Sequence, residues 1–153
     1  MSYGEIYPGG EVSVLDLDNA AAVRADLSNH FGIEFAPTPV TEKINAYGSI
    51  AGRCYFAVVI TCRNITWGQY STIKLVRSAY DALMKAAAQW EFPLFAVRTS
   101  EGQLHVLDIG RLDHPNLRWQ AGGRTKNRRA HVLTEDEMET RVPNHLFDAI
   151  PTS

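Results

Sequence analysis

The sequence predicts an α/β fold in which a mixed central sheet is flanked by helices. Three observations predict it. The run Arg53-Cys54-Tyr55-Phe56-Ala57-Val58-Val59-Ile60-Thr61 is apolar at both parities, the pattern of a central strand covered on both faces. Further on, Ile73, Val76, Tyr80, Leu83, Met84, Ala87 and Trp90 recur at helical spacing and form one apolar stripe. Beyond that stripe, Leu94–Thr99 and Gln103–Ile109 flank Ser100-Glu101-Gly102, a hairpin signal with a glycine available for a positive φ. A strand, a crossover helix and a strand imply a right-handed unit with parallel neighbours. The hairpin adds antiparallel neighbours, so the strand directions are mixed.

The elements follow in order. Residues 1–15 read as an irregular arm, with Pro8-Gly9-Gly10 marking a turn, and residues 16–153 as one α/β domain. A first helix is capped by Asp18 or Asn19, carries Ala20, Val23, Leu27 and Phe31 on its buried stripe, and stops at Gly32. After the Pro37-Thr38-Pro39 loop, a strand near Lys43 to Ile50 turns at Ala51-Gly52 into the apolar run. The long helix is expected to begin near Tyr70 to Thr72, and Pro93 prevents it from continuing. Past Leu117 come an extended basic loop, 118–131, and a tail in which Val142-Pro143 and Leu146-Phe147 pin residues 139–147 to the body.

Composition excludes several classes. A chain of 153 residues with 45% hydrophobic content can bury roughly two-thirds of its unfolded surface without staples. Cys54 and Cys62 fall in one strand, about 26 Å apart at the rise of a β-strand, which is beyond disulfide reach. Reduced thiols are expected. No stretch approaches the ~20 apolar residues of a membrane span, and residues 1–5 have neither a basic nor an apolar leader region, so no membrane partner and a cytoplasmic location are expected. The five histidines and two cysteines show no zinc spacing, and neither Gly9-Gly10 nor Gly122-Gly123 opens a helix as a phosphate-binding loop requires. Neither metal nor cofactor is expected.

The net charge of -2 argues against wholesale polyanion binding, but the charges are unevenly placed. Arg118, Arg124, Lys126, Arg128 and Arg129 occur with no acid among them, whereas Glu135, Asp136, Glu137 and Glu139 follow directly.

Three stretches carry a family resemblance: Thr38-Pro39 through Ile44-Asn45; Val59-Ile60-Thr61-Cys62-Arg63-Asn64; and Gly122-Gly123-Arg124-Thr125 leading to Val142-Pro143-Asn144-His145-Leu146-Phe147. In order and spacing they resemble the small phage and prophage proteins of the PD-(D/E)xK nuclease superfamily, related to Holliday-junction resolvases, over about residues 38–147. The resemblance implies a restriction-endonuclease-like core and a bacterial host cell. It also implies an aspartate ending the first strand, with a glutamate and a lysine two apart on the second. The carboxylates hold a divalent cation that lowers the pKa of a bound water, and the lysine orients that water beside the phosphate. Period-2 alternation points glutamate and lysine to one face. Asn45 stands at the aspartate's position, Val59 at the glutamate's and Thr61 at the lysine's. None can do the catalytic work, so no catalytic residue and no enzyme activity are expected.

The remaining polar residues suit a polymer. Arg63, Asn64, Arg118, Arg124, Lys126, Arg128 and Arg129 are candidates for phosphate contacts, and Trp67 and Trp119 for stacking on exposed bases. The expectation is therefore a pseudo-nuclease of bacteriophage type that binds DNA, single-stranded by preference, as an accessory of replication, recombination or transcription. Bland readings stand beside it: a basic loop is often just a solvated surface, Trp119 could cover the sheet's edge, and Arg63 and Asn64 could simply end a strand. Two other functions stay open. One is a Mg²⁺-dependent nuclease with migrated ligands, Glu42 and Asp108 being the candidates. The other is a viral module that inhibits a host factor through residues 135–139. A host or phage protein partner and a homo-oligomer are left open.

Overall fold

The computed structural model describes residues 3–7, 10–39, 42–89, 91–121 and 138–152, with side chains from Leu17 onward. It is an α/β structure with a mixed central sheet and two α-helices. In chain order the elements are β1 (Tyr3–Tyr7), β2 (Gly10–Ser13), α1 (Val14–Phe31), β3 (Glu34–Pro37), β4 (Ala46–Ile50), β5 (Arg53–Arg63), β6 (Thr72–Val76), α2 (Arg77–Ala87), β7 (Phe92–Thr99), β8 (Leu104–Asp108), β9 (Gln120–Ala121), β10 (Met138–Pro143) and β11 (Asp148–Ile150). Short 3₁₀ turns lie at Ile109–Arg111, His114–Asn116 and Asn144–Leu146.

The main sheet has the order β11-β8-β7-β5-β4-β3. Its one parallel pair is β5 with β7, bridged by β6 and α2, and its other pairs are antiparallel. Strand β5 is central as its composition predicts: Ala57 and Val58 are fully buried and Val59 is 4% exposed, so neither face meets water. The two faces feed two cores. Ala57 and Val59 pack with Ala79 and Leu83 of α2, Phe95 and Val97 of β7, and Ile73, Leu75 and Val142 of a second, three-stranded sheet ordered β6-β10-β9. Val58 packs with Val23 and Leu27 of α1, Ala96 of β7 and Val106 of β8. Helices therefore flank the sheet on opposite faces.

Local signals account for several boundaries. Gly32 ends α1 at φ +70°, with its N–H donating to the Ser28 carbonyl at 2.9 Å. Gly102, at φ +81°, closes the β7–β8 hairpin, where the Thr99 N–H donates to the Gln103 carbonyl at 2.9 Å.

Other boundaries differ from expectation. The irregular arm is instead an antiparallel pair, β1 with β2, and α1 starts at Val14 rather than near Asp18 or Asn19. Tyr, Ile and Val in this stretch favour strands. The expected helix start at Tyr70–Thr72 is β6, and α2 begins only at Arg77. Ile73 and Leu75 are buried while Lys74 between them is half-buried, a period of two that pairing with β10 satisfies. α2 then ends at Ala87, before Pro93, which lies inside β7 at a position where only β5 is its neighbour. The tail is pinned by Val142, on β10, and by Phe147, which follows the turn Asn144–Leu146, both buried. Among the described residues, no helix is long and apolar enough to cross a membrane.

Candidate nucleic-acid interface

Positions 45, 59 and 61 lie side by side across β5 and the residue before β4, and Asn45 and Val59 have structural tasks. Asn45 sits just before β4, where its N–H donates to the Val58 carbonyl at 2.8 Å. Its Oδ1 accepts from the Ile60 N–H at 2.7 Å, so the side chain extends the ladder beyond the end of the strand. Val59 faces α2 inside the core, and Thr61, of the same parity, lies half-buried beside Val97.

Of the two acids considered as migrated ligands, Asp108 does not join these positions. Asp108 shares the parity of Val106 and points to the α1 face, across the sheet from Val59 and Thr61, and its Oδ1 accepts from the Gly110 N–H at 2.8 Å. Glu42 is exposed in the loop ahead of β4. Among the described residues, no group of three or more His, Cys, Asp or Glu side chains is placed to hold a metal ion.

The expected binding residues divide into two places. At the end of β5, Arg63 reaches across to β6 and donates through Nη2 to the Lys74 carbonyl at 3.1 Å. Asn64 beyond it is exposed. Trp67 lies flat on His105, with centroids 3.7 Å apart and planes 7° from parallel, and meets Phe147 edge-on at 5.2 Å. One face of its ring is thereby taken, and the residue closes the core over β8. His105 is 8% exposed with its Nε2 unpartnered among the described residues, and burial pushes its pKa down.

The second place lies where α2 starts. Trp119 immediately precedes β9, and the Arg77 guanidinium lies 4.7 Å over its ring. Arg77 Nε donates to Asp81 Oδ1 at 3.1 Å, which fixes the fork while leaving its terminal nitrogens to other acceptors. Tyr80 meets Trp119 edge-on at 5.1 Å and shares a 2.7 Å hydrogen bond with His114 Nδ1. Burial raises the Tyr80 pKa, with Arg77 opposing and Asp81 adding to the shift. Arg118 is exposed beside this cluster. Ala121 of β9 pairs with Met138 of β10, so the described residues that flank 122–137 lie side by side next to this cluster. Arg124, Lys126, Arg128, Arg129, Glu135, Asp136 and Glu137 lie outside the described residues.

Sequence reading missed Arg77 and the Tyr80–His114 pair. Arg77 matters only once it is known to open α2, and His114 has no motif around it. Glu139, expected as part of an acidic contact, is 3% exposed on β10, with Arg141 Nη2 at 3.2 Å and Lys74 Nζ at 3.9 Å. It is a buried partner of two cations and presents no surface to a protein.

No family model matches the chain, and no curated protein matches it.

Proposed function

We propose that this protein binds nucleic acid without cutting it, on a restriction-endonuclease-like PD-(D/E)xK core, and that its ligand is single-stranded DNA handled during phage replication, recombination or transcription. The observation that carries the reading is the Arg77 guanidinium held over the Trp119 ring beside exposed Arg118. A fork fixed in this way can contact a phosphate while the indole offers its surface to an unpaired base. This cluster stands at the root of the segment that carries Arg124, Lys126, Arg128 and Arg129. Local positive charge of this kind gives affinity for the backbone even when the whole chain is slightly acidic.

The non-catalytic half of the proposal is supported by what occupies the three motif positions. A valine in the core supplies no metal ligand, and Asp108 faces the other side of the sheet. A mixed sheet between two helices is compatible with the nuclease-like core.

Fluorescence anisotropy with labelled single-stranded and duplex oligonucleotides tests the proposal. Binding at low salt should weaken steeply as salt rises, and Arg118→Ala or Arg77→Ala should lower the slope of log affinity against log salt by about 0.7 each, the value for one lost single-strand phosphate contact. Absence of binding to either oligonucleotide at low salt refutes the proposal. Equal affinity for duplex refutes the single-strand preference alone.

A further inference from the structure

On the α1 side of the main sheet, a cleft of about 350 Å³ opens between the end of α1, the first residues of β5 and β7, the end of β8 and strand β11. It lies across the sheet from the Arg77–Trp119 cluster, and neither the motif positions nor the basic residues contribute to it. Its size is at the lower end of the range of small-molecule sites.

Three aromatic rings form one wall. Phe31 and Phe56 lie with centroids 4.9 Å apart, and Phe56 and Phe92 5.4 Å apart. Phe92 is 55% exposed, an aromatic at the mouth of a cleft where burial elsewhere in the sheet was available to its neighbours. Leu94 and Val106 form the floor. The lining carries two carboxylates, Asp108 and Asp148, and one imidazole, exposed His30, whose ring meets Phe31 edge-on at 4.8 Å. Asp108 is half-buried, with Oδ1 accepting from the Gly110 N–H at 2.8 Å. Asp148 stands on the rim, its side chain 74% exposed, with Arg111 Nη1 at 3.3 Å. That arginine also donates to the Leu146 carbonyl at 2.9 Å and is not part of the lining.

This combination selects a ligand by charge. An anion would face two carboxylates and the negative faces of aromatic rings. A neutral apolar molecule would fill the floor but strip water from Asp108 without replacing it, which is costly. A cation on an apolar body suits the lining, His30 apart: the rings attract it through their quadrupoles, Asp108 pairs with it, and the body covers Leu94 and Val106. We propose that this cleft is a binding site for a small organic cation, an ammonium or guanidinium carried on an aromatic or aliphatic body.

The probe is phenethylammonium, compared with phenethyl alcohol and phenylacetate, which keep the ring and change only the charge. Titration of the nitrogen-labelled full chain, followed by amide shifts, should give saturable movement at Phe92, Asp108 and Ala149 with the ammonium at millimolar concentration. Affinity for the alcohol should be about fivefold weaker, the loss that goes with one partly exposed charge contact, and phenylacetate should not saturate. Asp108→Asn retains an oxygen for the Gly110 N–H and should weaken the ammonium about fivefold while leaving the alcohol unchanged. Should that variant lose its native spectrum, Asp148→Asn on the exposed rim provides the same comparison with a smaller effect, and Phe92→Ala should weaken both ligands. The proposal is overturned by an absence of saturable shifts with the ammonium, by equal affinity for phenylacetate, or by unchanged ammonium affinity in a natively folded Asp108→Asn.

Discussion

Placing a glutamate at position 59 tests directly whether the motif face of β5 has become core. Val59 is 4% exposed and packs among Ala79, Leu83 and Val97, with no cation among those neighbours. A glutamate there must stay ionised without a partner or take up a proton. Taking up the proton is the cheaper choice: from an unfolded pKa of about 4.3, it costs about 4 kcal/mol at pH 7, at 1.36 kcal/mol for each pH unit. Lost valine packing adds roughly 1 kcal/mol. The total of about 5 kcal/mol equals the whole stability of a weakly stable domain.

The same reasoning fixes the pH dependence. The folded glutamate has a pKa above its unfolded value, so the folded state binds the extra proton between the two pKa values and the penalty grows as pH rises through that window. Lowering the pH from 7 to 5 should return about 2.7 kcal/mol of the loss relative to the parent chain. Val59→Ala loses packing without this slope. Urea denaturation of parent, Val59→Glu and Val59→Ala across that pH range measures all three. A Val59→Glu protein within about 1 kcal/mol of the parent at pH 7, or one that Mg²⁺ stabilises, would show that the position still opens on a hydrated cation site, and the burial reasoning would fail.

Three other outcomes follow from named contacts. Asn45→Ala removes the acceptor of the Ile60 N–H and should cost about 1–2 kcal/mol in denaturant unfolding, whereas Asn45→Asp keeps an oxygen there and should cost less. His105, with its pKa pushed down by burial, binds fewer protons folded than unfolded, so stability should fall as pH drops below the ordinary histidine range; His105→Gln should remove that part of the acid sensitivity in thermal melts. Glu139→Gln leaves Lys74 and Arg141 without their carboxylate, but their side chains are 21% and 53% exposed and keep hydration, so a loss of about 1–2 kcal/mol is expected rather than the larger cost of stranding a fully buried charge.

The fold was legible where one local pattern had one meaning. The apolar run of β5 could only be a covered strand, and Gly32 and Gly102 mark ends that need a positive φ. Residues 72–76 failed that condition, because Ile73 and Val76 fit the helical stripe while Ile73 and Leu75 fit a strand. Only the partner β10, far along the chain, decides between them. Strand β3 is four residues long, begins two residues after Gly32 and ends on Pro37, so its pattern is too short to stand out from the turn signals around it. The candidate site was legible in composition and not in geometry. Arg118 and Trp119 were visible as a basic and an aromatic residue, but Arg77 reaches the Trp119 ring from a separate element. Trp67 looked equally available until β8 placed His105 beneath it.

The parity of side chains on the sheet ties these results together. Val59, Thr61 and Arg63 share the face that meets α2 and β6, where Val59 packs in the core and Arg63 bonds to β6. The proposed nucleic-acid affinity is assigned to the Arg77–Trp119 cluster beside β9 and not to strand β5. Asp108 and Phe92 belong to the opposite face. The two proposed sites are thus separated by the thickness of a sheet and share no side chain, which makes their variants independent. Arg118→Ala should change oligonucleotide binding and leave the cation titration alone, and Asp108→Asn should do the reverse. If either variant altered both, coupling through the buried residues of β5 and β7 would be required, and the division of the sheet into two separate faces would have to be abandoned.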